Sequence, residues 1–459
     1  HNVKSPITVL HMLGVILPIL GLIILPLMGS FLGVKWWHLL IVYNIILPVI
    51  VYQMGTNILA KRPMGYGERD ILEEEPQFAQ YKKVNFLGSK VDPKFPAITV
   101  GFFICLIGLM PIIIHVVDPT WDFVIGERFG LFLDYRDAET GLACSTGPDC
   151  LGPFGVGAAV LSLFFTLGVA IGLGLYYRLK TKQLIIIRER SKELEKEFSG
   201  SLFQLGNRIG DGIPAELAFG KVAENMKGTP TGDFLSIVNR NIRQLGMNVR
   251  DAIFDTDKGA LLTFPSSLIE SSMKVLVESA RKGPKVVAQS LISISVYVER
   301  IHQVSERLKD LLADVTSSMV GQISFLTPMI AGVVVGIGSM ITAIIGKLGQ
   351  KIGGLAGEGA GAAEGGGAVP LNIQELVKIF PTENLMPPFF FQIVVGLYVI
   401  EIIFILTVLS NSIQNGLDKL TEEHMMGKYF FTSTFFYFII ALIVTLVFSF
   451  MAGVISQFQ

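Results

Sequence analysis

Few residues of this chain have the types and spacing that catalysis requires. The sequence lacks a Gly-x4-Gly-Lys-Ser/Thr loop for nucleotide phosphates, the metal motifs His-Glu-x-x-His and Cys-x2-Cys, and a Gly-x-Ser-x-Gly nucleophile turn. Its histidines are scattered singly, as His302 and His424 illustrate. We therefore expect no catalytic residue, no metal site and no cofactor, and we interpret the chain as a protein that is not an enzyme.

One acidic residue, Glu401, lies near the middle of the apolar run IVVGLYVIEIIFILTV. An ionised carboxylate is costly in the hydrocarbon core of a membrane, so an acidic residue there is a candidate functional site. It predicts a polar contact for a translocated helix or a role linked to proton movement. The alternative is a protonated or hydrogen-bonded Glu that faces the interior of the helix bundle.

Two cysteines in ACSTGPDC, Cys144 and Cys150, flank a Ser-Thr-Gly-Pro turn. This separation permits a disulfide in an oxidising compartment, and two unpaired thiols are the alternative. Cys105 lies inside an apolar block, where we expect it to pack as a small apolar residue.

The elements that carry these residues are long apolar blocks. Hydrophobic residues make up 51% of the 459 residues and charged residues only 16%, which is too little charge for a soluble chain of this length. Because about 20 residues of helix cross a membrane, we predict an all-α, polytopic membrane protein with about seven transmembrane helices. The predicted spans are 7–32, 36–59, 95–117, 153–178, 318–348, 387–411 and 429–456. The first residue is His1 rather than Met, so we expect the chain to be a fragment or a processed form.

The distribution of Lys and Arg predicts the orientation in the membrane. The loop 60–94 carries seven basic residues, and the stretch after the fourth span also opens with basic residues, whereas the loop 118–152 holds only Arg128 and Arg136. We therefore place 60–94 and 179–317 in the cytoplasm, and 118–152, 349–386 and the C-terminus outside. The fully inverted orientation is the alternative.

The long polar stretch 179–317 predicts a helical bundle. Apolar residues recur at helical spacing at its start (Leu184, Ile187, Leu194, Phe198) and at its end (Leu291, Ile294, Val298, Ile301, Val304, Leu308, Leu311, Val315). Gly and Pro interrupt the pattern at 210–214, 228–232, Gly246, 264–265 and 282–284, which indicates shorter helices between the two long ones. The domains are thus an N-terminal membrane region, 1–178, a cytoplasmic helical bundle, 179–317, and a C-terminal membrane region, 318–459.

The order of these signals resembles a known family. The segments LFQLGNRIGDGIPAELAFGKVAENMKGTPTGDFLSIVNRNIRQLGMNVRDAIFD, SSLIESSMKVLVESARKGPKVVAQSL and MVGQISFLTPMIAGVVVGIG are similar to the type II secretion F-domain family, the membrane platform proteins of type IV filament machines such as the pilus and the archaellum. The resemblance covers about 200–350, and the many spans look more like the archaeal branch. Family members commonly carry two such cytoplasmic domains, and only one is visible here.

The resemblance implies a function and partners. The protein would couple a hexameric secretion ATPase on the cytoplasmic side to the assembly of pilin-like subunits in the membrane, with a homodimer as a further possibility and without binding nucleic acid. Exposed charges around Gly-rich turns are the candidate contacts with the ATPase: Asp211, Glu216, Arg240, Arg243 and Arg250. The alternatives are a secondary transporter, for which inverted repeats are not evident, and a membrane-bound enzyme such as a peptidase or acyltransferase.

Two further patterns concern packing and flexibility. The pairs Gly168/Gly172 and Gly332/Gly336 place small residues four apart on one helix face, which favours close packing within the chain or a dimer seam. The Gly- and Ala-rich run 349–368 predicts a mobile linker outside the cell.

Overall fold

The computed structural model describes residues 36–60, 84–86, 89–126, 130–137, 144, 150–361, 386–416 and 418–455. Within these ranges six helices are long and apolar enough to cross a membrane, as expected for an all-α, multi-pass membrane protein. They coincide with the last six predicted spans. The first predicted span, 7–32, lies outside the described residues, and so does most of the loop 60–94.

Six long helices form the part of the membrane region that the structure describes. Helix α1 comprises Trp36–Ile41, a π-helical turn Val42–Ile46 and Leu47–Ala60. The others are α2 (Lys94–Val117), α3 (Val156–Gly210), α9 (Thr327–Gly361), α10 (Pro388–Gln414) and α11 (Lys419–Ile455).

The bundle between α3 and α9 contains α4 (Ala215–Asn225), α5 (Pro230–Leu245), α6 (Val249–Phe254), a 3-10 turn (Ala260–Leu262), α7 (Ser267–Ala280) and α8 (Pro284–Gly321). A π-helical turn, Gln322–Leu326, joins α8 directly to α9.

Short antiparallel strand pairs complete the described structure. They are β1 (Val84–Phe86) with β2 (Ser89–Val91), β3 (Val124–Gly126) with β4 (Gly130–Leu131), and β5 (Arg136–Asp137) with β6 (Cys150–Leu151). All of them lie in the connections before and after α2, and none lies within 179–317.

The helix boundaries in the bundle follow the local sequence. The hydroxyl of Thr229 accepts a hydrogen bond from the Gly232 N–H, and Ser266 caps α7 in the same way. Helix α5 ends at Gly246, whose φ of 65° is left-handed backbone that favours glycine. Each interruption predicted from Gly and Pro therefore coincides with a helix boundary.

The bundle has its own apolar core. Leu194 and Phe198 of α3 are fully buried against Phe219 of α4, Phe234 of α5 and Met273 of α7. The predicted apolar face of α3 is confirmed here. On α8, Leu291 and Val298 are buried as predicted, but Val304 is 58% exposed and Leu311 71% exposed.

The helix predicted over this stretch is confirmed, but Val304 and Leu311, two of its predicted apolar residues, are not among the residues that it buries. The residues that this helix buries include Leu291, Val298, Leu312 and Met319, which repeat at multiples of seven. Leu312 and Met319 pack against Val51 of α1 and against Ile405, Leu409 and Ile413 of α10. Leu311, next to the buried Leu312, lies on a different face of the helix, because neighbouring positions on a helix differ by about 100°.

Helix α10 is the centre of the membrane region. In its most apolar stretch 78% of the residues are buried inside the protein, against 28% for α11 and 22% for α2. It packs against α1, α3, α8, α9 and α11. Helices α2 and α11 therefore leave most of their apolar stretch uncovered by protein, whereas α10 is largely enclosed by its neighbours.

The small-residue pairs pack within the chain. A Cβ on Gly168 would lie 2.6 Å from the Cys105 backbone nitrogen of α2, and one on Gly332 would lie 2.7 Å from Cγ2 of Ile440 in α11. Both motifs therefore serve helix contacts inside one copy, which was the first of the two predicted uses.

The Gly- and Ala-rich segment differs from its prediction. A linker was expected from residue 349, but α9 continues to Gly361. Once a helix has formed, each further residue adds a backbone hydrogen bond without a new nucleation step, so a helix can extend into a sequence of poor propensity. The prediction was wrong for 349–361, and 362–385 lies outside the described residues.

Candidate functional site

Two helices connect the bundle to the membrane without a break. Helix α3 runs for 55 residues from Val156 to Gly210, and its first part is the predicted fourth span. On the other side, α8 passes into α9 through the π-helical turn Gln322–Leu326. A π-turn widens a helix locally but keeps its backbone hydrogen-bonded. Displacement of the bundle would therefore reach both spans.

The turn between α10 and α11 holds α3 where it leaves the membrane. The carboxylate of Asp418 is almost fully buried, and its Oδ2 lies 3.0 Å from Lys192 Nζ and 3.5 Å from Arg188 Nε. Arg188 and Lys192 are four apart on α3, so both reach the same face of the helix. We call Asp418, Arg188 and Lys192 the stalk clamp.

Backbone contacts fix the clamp carboxylate in place. The Thr421 N–H donates to Asp418 Oδ1 at 3.1 Å, so Asp418 also caps α11, and the Asn411 side-chain amide of α10 donates to the Asp418 carbonyl at 3.0 Å. Asp418 thus joins the C-terminal end of α10 to the start of α11, and its carboxylate also contacts α3. A movement of α3 acts on both spans together.

A second row of contacts extends the clamp toward the membrane. Lys180 Nζ lies 2.5 Å from Glu423 Oε1, and Thr181 Oγ1 lies 3.4 Å from His424 Nδ1. Leu184 and Leu420 are buried against each other between these polar pairs. The interface between α3 and α11 therefore combines ion pairs with apolar packing.

The electrostatics of the clamp favour a charged Asp418. Burial alone raises the pKa of this carboxyl, but Lys192, Arg188 and the hydrogen bond from Thr421 outweigh it, so the pKa lies below its ordinary value. The carboxylate stays ionised at neutral pH, and both cations keep their partner.

The stalk clamp was not among the sites predicted from the sequence. Asp418 directly follows a Gly-containing turn and precedes an apolar run, a pattern that predicts a helix N-cap. Its pairing with Arg188 and Lys192, more than 220 residues away, has no local signal.

The five predicted partner contacts are all exposed in the bundle. Asp211 and Glu216 flank the turn from α3 to α4. Helices α4 and α5 are antiparallel neighbours, with Gly220 opposite Asn239, so Glu216 and Arg243 lie at the same end of this pair. Arg240 precedes Arg243 by one helical turn. Arg250 lies at the start of α6, whose Ala252 carbonyl accepts from Asn241 of α5.

Two exposed leucines accompany these charges. Leu217 follows Glu216 on α4, and Leu245 is the last residue of α5. In the antiparallel pair they lie near the same end as Glu216 and Arg243. We call Leu217, Leu245 and the five charged residues the bundle tip. It combines apolar and charged side chains of both signs, a composition that suits a protein contact.

Inside the membrane, Glu401 lies on α10 and is partly buried. Its Oε2 is shielded from solvent and has no hydrogen-bond partner among the described residues. Sequence reasoning missed a second polar group on the same helix, the fully buried Gln392, which hydrogen-bonds Ser162 of α3 and, at 3.4 Å, Thr445 of α11. An uncharged amide among phenylalanines carries little signal, although it joins three spans here.

The two predicted disulfide cysteines are brought together. The sulfurs of Cys144 and Cys150 are bonded, and Cys150 belongs to β6, which pairs with β5. Cys105 is a free thiol in α2 that donates to the Phe165 carbonyl of α3 at 3.5 Å. No group of three or more His, Cys, Asp or Glu side chains within the described ranges could hold a metal ion.

Comparison with known proteins gives no relative. No protein-family model, no curated protein and no solved structure matches the chain. The fold and the sites described above are therefore the basis for a functional proposal.

Proposed function

We propose that this protein is the membrane platform of a type IV filament or type II secretion-like machine, which couples a cytoplasmic secretion ATPase to the assembly of pilin-like subunits. The observation that carries the proposal is the pair of continuous helices, α3 and α8–α9, that join a compact helical bundle to the membrane. Such a connection suits a protein that passes mechanical work through a membrane and has no need of its own catalytic residues.

The bundle is the proposed ATPase-binding part, and it would face the cytoplasm. Basic residues are frequent where the chain enters the bundle, as the positive-inside rule requires of a cytoplasmic segment. The disulfide-bearing loop lies at the opposite end of α3, and disulfides persist in oxidising compartments outside the cell. These two independent signals support the same orientation in the cell membrane.

The bundle tip is the proposed docking surface for the ATPase. Exposed leucines at the centre of a contact lose water on binding, and the surrounding charges set orientation and association rate. Force applied at the tip would move α3, and the stalk clamp would transmit it to α10 and α11.

Pilin-like subunits are the proposed partners within the membrane. They reach a platform through the lipid, so their contacts lie on its apolar helix faces or at exposed polar positions between them. Glu401 is the candidate polar contact, because it is an acidic side chain within an apolar span and is only partly buried by the protein.

A binding experiment tests the ATPase interaction. The full chain in lipid nanodiscs is titrated with the hexameric secretion ATPase of the same cell, and both binding and ATP hydrolysis are measured. The variant Leu217→Ser/Leu245→Ser should weaken binding about 10-fold or more, because two exposed apolar anchors are lost. Val275→Ser on α7 removes an equally exposed apolar side chain away from the tip and is the matched control.

The wild type and the Val275→Ser variant should bind the ATPase alike. Absence of binding by the wild-type chain would contradict the proposal. Uptake of a small solute by vesicles that contain the purified chain would support a secondary transporter instead.

A further inference from the structure

The connection between α2 and α3 carries an exposed apolar surface. Trp121, Phe123, Val124 and Ile125 are all exposed, with Val124 at 62%. We call these four residues, which form β3 and the segment before it, the aromatic hairpin edge. A loop surrounded by water gains nothing from exposing four large apolar side chains within five residues.

The hairpin edge continues the lipid-facing surface of a span. Val116 and Val117 end α2 and are more than three-quarters exposed, so their side chains face lipid where the helix meets the membrane surface. Trp121 follows four residues later. The apolar surface of the span thus passes directly into the surface of the hairpin.

The same end of the molecule holds all three tryptophans of the chain. Trp36 begins α1 and stacks on Phe390 of α10, with ring centroids 4.8 Å apart. Phe389, beside it, packs with Leu133 and Ala158, which tie the hairpin to the start of α3. Tryptophan concentrates where membranes meet water, since its ring is apolar and its N–H is polar.

The two acidic residues near the hairpin edge are placed as expected for the boundary between membrane and water. Asp122 is turned into the fold: its carboxylate accepts from the backbone N–H groups of Phe123, Leu133 and Asp134 at 2.8 to 3.0 Å. Asp118 is exposed, and hydrogen bonds from Thr120 hold its pKa below the ordinary value, so it stays charged. Asp118 lies next to the exposed Val117 and three residues before Trp121, and a charge at this point suits the depth of the lipid headgroups.

From this geometry we propose that the aromatic hairpin edge is a lipid-binding surface that lies in the headgroup region of the membrane leaflet opposite the helical bundle. Phe123 stacks on Phe132 at a centroid distance of 4.8 Å, and Trp121 meets Phe132 edge to face at 6.3 Å, so the hairpin presents a preformed surface. It fixes the height of α2 and α3 relative to the membrane. This role does not depend on which machine the protein serves.

Fluorescence quenching tests the position of Trp121. The variant Trp36→Phe/Trp37→Phe leaves Trp121 as the single tryptophan, and both replacements keep an aromatic ring. The full chain is placed in vesicles of phosphatidylcholine and phosphatidylglycerol that contain lipids brominated either near the headgroup or deep in the acyl chains. We expect a loss of emission that is larger with the shallow bromine, and weak quenching by aqueous iodide.

A matched control places the probe in water. Trp121→Phe/Phe203→Trp in the same background moves the only tryptophan to an exposed position of α3 in the bundle. That tryptophan should be quenched by iodide and not by brominated lipid. The proposal is overturned if Trp121 behaves like this control, if the deep bromine quenches it more strongly, or if neither reagent quenches it, which would mean that protein covers it.

The unaltered protein provides a second measurement. Hydroxyl radicals generated in water should oxidise Phe203 but leave Trp121 and Phe123 protected in vesicles. Equal oxidation of Phe203 and Phe123, which are exposed to the same extent in the protein alone, would overturn the proposal even if the tryptophan variants failed to fold.

Discussion

Asp418 shows how one buried charge can join three helices. Its carboxylate caps α11, and it pairs with Arg188 and Lys192 of α3, while Asn411 of α10 binds its carbonyl. A buried ion pair does not by itself guarantee stability, because the desolvation of both partners opposes their attraction. Its loss is nonetheless costly, since the remaining cations would be left in a partly dry site.

Neutralising this residue should destabilise the membrane region. Asp and Asn are about equally good N-caps, so Asp418→Asn keeps the cap and removes only the charge. We expect a loss of about 2–3 kcal/mol in the free energy of unfolding, measured by denaturation in detergent. Asp310→Asn, which alters an exposed carboxylate on α8, is the control and should change little. Equal stabilities of the two variants would refute the clamp.

The same residue predicts a pH dependence. The pKa of Asp418 is lower in the folded protein than its ordinary value of 3.8, so its stabilisation is complete above that value and is lost as the pH falls through the folded-state pKa. The difference in melting temperature between wild type and Asp418→Asn should be constant near neutral pH and shrink only in strong acid. A difference that disappears between pH 7 and pH 6 would be inconsistent with a depressed pKa.

At the scale of helices, the sequence was most informative where a pattern is local. Apolar blocks predicted six described spans, and each predicted Gly or Pro interruption lies at a helix boundary in the bundle, although the end of α6 at Phe254 has no such signal. Contacts between distant segments left no such signal, which is why Asp418 and Gln392 escaped notice. On upper α8 the apolar pattern predicted the helix but not its buried face, because Val304 and Leu311 are as apolar as the buried Leu312.

Close helix packing gives a prediction at this scale. A Cβ on Gly108 of α2 would collide with the Phe165 backbone of α3, whereas one on Gly200 in the exposed part of α3 meets nothing within 4 Å. Gly108→Ala should therefore lower the free energy of unfolding by about 1–3 kcal/mol. Gly200→Ala should raise it by about 0.5–1 kcal/mol, because alanine favours the helix. Both changes are measurable by thermal denaturation, and the opposite order of stabilities would contradict the packing of α2 on α3.

The stiffness of α3 can be tested by a kink. Glu189→Pro places proline at an exposed position between the membrane and the bundle, at a cost of about 3 kcal/mol or more to the local helix. Under the proposed function, ATPase binding at the tip should persist while filament assembly in cells is lost. Glu189→Ala should assemble filaments normally. Normal assembly by a stably produced Glu189→Pro variant would show that a rigid α3 is unnecessary.

The whole molecule has two ends with different chemistry. One carries the bundle, the stalk clamp and many exposed charges, and the other carries the disulfide, the tryptophans and the aromatic hairpin edge. Under the proposed function, one end would face a cytoplasmic motor and the other an external filament.

The orientation of the chain is the most direct test of this account. In a Cys105→Ser background, Glu278→Cys on α7 and Thr120→Cys beside the hairpin are exposed to a membrane-impermeant maleimide. In intact cells the reagent should label Thr120→Cys and leave Glu278→Cys unlabelled until the membrane is opened. The reverse pattern, with the bundle labelled from outside, would contradict the coupling of this protein to a cytoplasmic ATPase.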